Sequence, residues 1–149
     1  MKTLDDTDIA AASGRTGRNH RFRGLAGRGL VATVAAVAAT SLAAALARAG
    51  GVAFEVPDGG ATIPLSGIAV VTGFFSIVGV VIAVALLRWS AQPARRFVWT
   101  TVSLTAVSLI PPLLSGADTA CVVALIALHL IPAAVMISTL ARSLSGRTD

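Results

Sequence analysis

Four uncharged apolar runs limit what this chain can become. Leu30–Ala47, Leu65–Leu87, Phe97–Leu114 and Ala120–Leu140 contain no Asp, Glu, Lys or Arg, and they are 18, 23, 18 and 21 residues long. Crossing a ~30 Å hydrocarbon core takes roughly 17–25 residues of helix. Inside lipid no water is available to the backbone, so such runs close their hydrogen bonds internally as helices. Together the four runs take 80 of the 149 residues, which leaves no separate soluble domain. Only 13% of residues are charged, where a soluble domain carries about 25%. The expected fold is therefore all-α, an integral membrane four-helix bundle of two antiparallel hairpins.

The joint between the hairpins is Arg88-Trp89-Ser90-Ala91-Gln92-Pro93-Ala94-Arg95-Arg96-Phe97-Val98-Trp99. It is a cluster of positive charge inside the apolar region. Pro93 disfavours a helix running straight through it. Arg88, Trp89, Arg95, Arg96 and Trp99 read as topology and interface anchors, because arginines stay on the cytoplasmic side and tryptophans sit at headgroup depth. With the N-terminus in the cytoplasm, 11 of the 12 basic residues fall inside and only Arg48 falls outside. The same threading puts Glu55, Asp58 and Asp118 outside and the C-terminus in the cytoplasm. The expected orientation is N-in/C-in, in the inner (cytoplasmic) membrane of a bacterium.

Residues 1–29 are polar and Gly-rich, with Arg15, Arg18, Arg21, Arg23 and Arg28. A segment of this kind buries too little apolar surface to offset its ordering entropy, so it is expected to be a disordered basic cytoplasmic tail. Its charge suits anionic headgroups. The net charge of +5 is thus assigned to topology and lipid contact, not to nucleic acid. Ala45-Leu46-Ala47 resembles a signal-peptide cleavage site. The apolar run before it exceeds the ~7–15 residues of a signal-peptide core, so this helix is read as retained. The membrane domain is then 30–141, with a short cytoplasmic tail over 142–149. The loop between the first two runs has glycine and proline at its ends, and Phe54 to Gly59 carries a weak hairpin signal.

Helices in lipid associate through small residues and hydrogen bonds. The first run offers Thr33, Ala36, Thr40, Ala43 and Ala47 on one face; the second offers Ala69, Thr72, Ser76, Gly79 and Ala83. These faces are expected to meet. The third run places Thr101, Thr105, Ser108 and Pro112 on a polar face. Pro111 and Pro112 remove donors for the Val107 and Ser108 carbonyls and are expected to kink the helix, as is Pro132 in the fourth run.

His129 is an ionisable group at intramembrane depth, which makes it a functional-site hypothesis. Counting from the turn near Ala117 puts it level with Thr105, so a Thr105–His129 hydrogen bond is expected. His129, Thr105, Thr101 and Ser108 form the candidate intramembrane polar site. The bland alternative is a neutral histidine serving as packing glue. No run contains a carboxylate, which argues against a carboxylate-coupled pump. Haem held by two histidines would need a second chain, because His20 lies in the tail. There is one cysteine, Cys121, so no internal disulfide forms. A hydrolase built on Ser108, His129 and Asp118 lacks the G-x-S-x-G elbow.

Several stretches together carry a resemblance. These are Arg88-Trp89 with Pro93-Ala94-Arg95-Arg96-Phe97, Leu104-Thr105-Ala106 through Ser108-Leu109-Ile110-Pro111-Pro112, Asp118-Thr119-Ala120, and Leu128-His129-Leu130. They resemble a family of small four-helix membrane proteins of actinobacteria catalogued as a domain of unknown function. The resemblance covers Leu30 to Arg142 and is most specific from Arg88 onward. Pro132 departs from it, since the family more often has this proline near Ser138. The resemblance implies the four-helix architecture and makes Arg95, Pro111, Pro112 and His129 the first positions to test. It implies no activity.

The functional expectation is a non-enzymatic membrane subunit or scaffold with no cofactor, catalytic residue or metal site. Its partners would be membrane lipids, a second copy of itself or another membrane protein. Two other classes stay open. One is a small oligomeric transporter or channel with a polar path at His129 and the Thr101/Thr105/Ser108 face. The other is a quinone- or haem-binding subunit.

Overall fold

The first 56 residues contain no proline, and a single long helix forms there. In a computed structural model, which describes residues 6–56 and 61–146, helix α1 runs Asp6–Ala49. At 1.5 Å per residue its 44 residues extend ~66 Å, about twice the thickness of a bilayer core. This differs from the disordered segment expected through residue 29. The physical reason is a buried stripe that continues upstream of the uncharged run. Leu25 is 0% exposed, Gly29 is buried, and the stripe passes on through Ala32, Thr33, Ala36, Thr40 and Ala44. These positions fall on one face of a 3.6-residue period. The part of the expected tail over residues 1–5, and residues 147–149 at the other end, lie outside the described residues.

Gly51 ends α1. Its φ of +91° is left-handed, a conformation glycine adopts at little cost. The Gly51 N–H donates to the Arg48 carbonyl and the Val52 N–H to the Ala47 carbonyl, at 2.9 and 3.0 Å, the paired bonds of a Schellman stop. The chain then pairs two short antiparallel strands, β1 (Glu55–Val56) and β2 (Ala61–Thr62), with Glu55 opposite Thr62. The weak hairpin signal lay here; its tip, residues 57–60, is outside the described residues.

Helix α2 spans Leu65–Trp89 and starts directly after Pro64. Helix α3 spans Pro93–Ser108 with proline in its first turn, where a missing N–H costs nothing. The helix breaks at Leu109, and α4 takes up Ile110–Leu114. Pro111 and Pro112 have no N–H to give the Val107 and Ser108 carbonyls, and the Leu109 N–H is shared between Thr105 and Ala106 at 3.2 and 3.3 Å. Helix α5 spans Thr119–Ser145 and continues through Pro132. Asp118 caps it: one carboxylate oxygen accepts from the Ala120 and Cys121 N–H groups at 2.8 and 3.0 Å. Such a cap contributes about 1 kcal/mol.

Four helical segments are long and apolar enough to cross a membrane: Asn19–Ala49, Leu65–Trp89, Pro93–Leu114 and Thr119–Ser145. Helix α1 packs most extensively, against both α2 and α5, while α3 leans on α5. One core cluster joins Leu25, Ala36, Ala83, Phe97, Met136 and Leu140. A second, at the hairpin end, joins Ala44, Phe54, Cys121 and Leu128. The outward faces carry large apolar residues such as Val70, Phe75, Val81 and Leu113. A surface of that kind matches lipid, not water.

The small-residue faces of α1 and α2 are largely inward: Thr33, Ala36, Thr40, Ser76 and Ala83 are buried. Their partners are shared with α5, however. A Cβ added at Gly79 would meet Met136 of α5 at 3.5 Å, whereas one at Gly73 would meet Val37 of α1 at 3.6 Å. Among the described glycines Gly29 has the least room, since an added Cβ would lie 2.7 Å from a Val80 methyl. The hydroxyl of Thr33 donates to the Gly29 carbonyl at 2.9 Å, while that of Thr40, fully buried, has no hydrogen-bond partner.

Candidate functional site

Helix α5 holds His129 half-buried. Its Nδ1 lies 2.7 Å from the Leu125 carbonyl one turn earlier. A carbonyl only accepts, so Nδ1 carries the hydrogen, and in the neutral ring Nε2 keeps its lone pair. On α3, Thr101 donates to the Phe97 and Val98 carbonyls at 2.7 and 3.1 Å. Thr105 donates to the Thr101 carbonyl at 2.8 Å, and Ser108 to the Thr105 carbonyl at 2.7 Å. All three hydroxyls are half-buried and form a ladder of local bonds along one helix face.

The expected Thr105–His129 hydrogen bond does not form. Each group bonds inside its own helix, because a carbonyl one turn earlier lies within reach of a helical Thr or Ser rotamer. A bond across the helix gap would require Thr105 to give up a donor contact it makes without any tertiary cost. The four candidate polar residues therefore lie on two facing helices but are not joined to each other by hydrogen bonds. Among the described residues no group of three His, Cys, Asp or Glu side chains stands close enough to hold a metal ion.

The interface anchors have a different outcome. Arg95, Arg96 and Trp99 are exposed at the start of α3. Arg88 and Trp89 end α2, with the Arg88 guanidinium 5.8 Å from the Trp89 ring centroid. They line a cleft of about 340 Å³ together with Leu87 and with Arg21 and Phe22 of α1. The extension of α1 past Gly29 creates this cleft by laying Arg21 and Phe22 beside the last turn of α2. Sequence reasoning found Arg88 and Trp89 as anchors and Arg21 as part of a basic tail, but it missed Phe22 and the placement of Arg21 beside Arg88. The signal was present: Phe22, Leu25 and Gly29 continue the helical period of the buried stripe.

At the opposite end Arg48 closes the bundle. Its guanidinium donates to the Ile63 carbonyl and lies 5.8 Å from the centroid of the buried Phe54 ring. The positive charge also sits in the last turn of α1, where the helix dipole favours it.

A family model described as a family of unknown function (DUF6069) matches residues 20–146. The chain belongs to this family. The DUF6069 match takes in the four membrane-length segments, apart from Asn19 at the start of the first, and the candidate polar residues. It begins ten residues upstream of the first uncharged run, so it also covers Arg21, Phe22 and Leu25. No curated protein and no solved structure matches the chain. Membership in DUF6069 assigns no activity.

Proposed function

We propose that this DUF6069 protein is a non-enzymatic, multi-pass protein of the bacterial cytoplasmic membrane that acts as a subunit or scaffold, binding a protein partner or lipid. Both termini lie in the cytoplasm, and the four spans form two antiparallel hairpins joined at Arg88–Trp99. The distribution of basic residues supports that orientation. The observation that carries the functional reading is the local bonding of the intramembrane polar groups. Thr101, Thr105 and Ser108 spend their donors on their own helix, and His129 spends its Nδ1 hydrogen the same way. Groups engaged in this manner act as packing elements and offer a solute few free donors.

Affinity purification from native membranes tests this reading, with an unrelated four-span protein as the control. A protein or lipid retained in fixed proportion to the chain is the expected result. Reconstitution into liposomes supplies the opposing outcome. Proton or solute flux that is lost in His129→Ala would replace the scaffold with a transporter, and a haem or quinone absorbance in the purified protein would replace it with a redox subunit. Reporter fusions at Arg142 and Asp58 check the threading; a periplasmic Arg142 overturns it.

A further inference from the structure

All four membrane-length segments bring exposed arginines to one end of the bundle. Arg28 precedes Gly29 on α1, Arg88 closes α2, Arg95 and Arg96 open α3, and Arg142 lies in the last turn of α5. Leu25, Phe97, Leu140 and Leu144 share one core cluster there, which sets these helix ends at a common level. Local structure accounts for only part of the charge. Arg88 and Arg142 stand where the helix dipole favours a cation. Arg95 and Arg96 stand in the first turn of α3, where the same dipole disfavours one. Like charges gathered at one end also repel each other. The fold thus holds Arg95 and Arg96 against its own electrostatics, and the buried Phe97 fixes the turn that carries them. Arg95, Trp99 and Val102 follow at helical spacing on one face of α3, and all three are exposed.

We propose that the outward face of α3 docks an anionic phospholipid, with Arg95 and Arg96 on the headgroup phosphate and Trp99 at the level of the glycerol. The inference rests on the reading of the chain as a membrane protein, and it names the lipid class that a lipid-binding scaffold would take. Guanidinium groups bond phosphate through paired, charge-assisted N–H donors. A leaflet rich in anionic lipid also attracts each basic residue held near its surface. The order of groups along α3 matches the order along a lipid. Two cations come first, then a tryptophan 65% exposed, then the exposed apolar Val102 and Val107. Tryptophan sits at headgroup depth, and Pro93–Leu114 is apolar and long enough to continue into the hydrocarbon. An acidic protein in water would meet the two arginines but gain nothing from the apolar surface that runs on from them. That continuation decides in favour of the lipid.

The chain has two tryptophans, so in the full-length Trp89→Phe variant the fluorescence comes from Trp99 alone. Brominated lipid quenches it on contact. The protein is reconstituted in mixed phosphatidylglycerol and phosphatidylcholine bilayers, with one lipid brominated at a time. Trp99 is expected to prefer phosphatidylglycerol about fivefold at low salt and to lose most of that preference at about 0.5 M sodium chloride. In Arg95→Gln/Arg96→Gln the ratio should fall to about one, while Arg95→Lys/Arg96→Lys keeps a preference of about twofold or more. Arg23→Gln/Arg28→Gln is the control. It removes the same charge from α1, which packs on α2 and α5, and should keep the preference. Equal loss in that control would mean a general charge effect and overturn the site. So would a ratio near one in the Trp99-only protein, or a preference that persists without Arg95 and Arg96. An acidic protein retained by the wild type and lost with Arg95→Gln/Arg96→Gln, with no headgroup preference, would assign the arginines to a protein and overturn the lipid. Maleimide labelling of the buried Cys121 on heating checks that the variants fold. If the double variant does not, Arg95→Gln alone carries the test, with about a twofold loss expected and no loss refuting the proposal. A failed lipid site leaves the scaffold reading in place, because that stands on partner retention and liposome flux.

Discussion

Gly29→Ala sharpens the question of whether α1 packs upstream of its uncharged run. An alanine Cβ there would lie 2.7 and 2.8 Å from the two Val80 methyl carbons and 3.3 Å from the Val80 Cβ. Ordinary carbon–carbon contact is about 3.5–4.0 Å, so the helices must separate by roughly 1 Å or Val80 must rotate. Valine in a helix has one strongly preferred rotamer, so rotation is not a free escape. Overpacking of this kind costs about 1–3 kcal/mol. Against it stands the better helix propensity of alanine, about 1 kcal/mol. The net expectation is destabilisation of about 0–2 kcal/mol. Gly27 supplies the control. It is two residues away in the same helix, and an added Cβ there meets nothing within 4 Å. Gly27→Ala should therefore stabilise, by up to about 1 kcal/mol. The decisive measurement is a double-mutant cycle with Val80→Ala, which removes the two methyl groups that clash. Pulsed maleimide labelling of Cys121 during heating or denaturant titration reads global unfolding, because this thiol is 1% exposed and packs at the far end of the bundle. A favourable coupling of about 1–3 kcal/mol between Gly29→Ala and Val80→Ala is expected. Additivity within about 0.5 kcal/mol, or equal stabilisation by the Gly27 and Gly29 substitutions, would refute the close approach. It would also restore the picture of a free segment ahead of Leu30.

Two further substitutions probe polar groups. Thr40→Val replaces a buried hydroxyl that has no partner by a methyl group of the same shape, and a gain of about 1 kcal/mol in the same unfolding assay is expected; destabilisation would show that the hydroxyl is bonded after all. Arg48→Ala removes the donor to the Ile63 carbonyl and the contact with the Phe54 ring, for a loss of about 1–3 kcal/mol. Hydrogen exchange should then quicken at the Ile63 amide, which bonds the Phe54 carbonyl at 2.8 Å. Arg48→Lys keeps the charge but not the planar fork, so full retention of stability in that variant would assign Arg48 to charge alone.

The candidate polar site was only half legible in the residues. Spacing places Thr101, Thr105 and Ser108 on one face of α3, and the structure has all three half-buried there. Counting from the turn sets only an expected level for His129, opposite Thr105. Neither gives the bonding partner, because a hydroxyl chooses between a carbonyl one turn back and a group across the helix gap. The local carbonyl is present in every helix, while the distant group depends on where the neighbouring helix lands. Phe97 shows the same limit: it opens the third apolar run beside two exposed arginines, and only the packing reveals that it is 0% exposed in the core.

What the sequence determined by itself is local. Charge-free runs of membrane length set the number of long apolar helical segments. Gly51 and Pro64 bound the first loop, Pro111 and Pro112 interrupt the third run, and Asp118 starts the last helix. Each of these follows from backbone chemistry within a few residues. The tertiary structure decided which faces touch. It set α1 against both α2 and α5, drew Leu25 and Gly29 into the core, and so brought Arg21 and Phe22 beside Arg88 and Trp89. A polar, Gly-rich segment cannot order itself by its own composition. It orders here because other helices supply an apolar wall for one stripe of its residues, and that wall exists only once the bundle has formed.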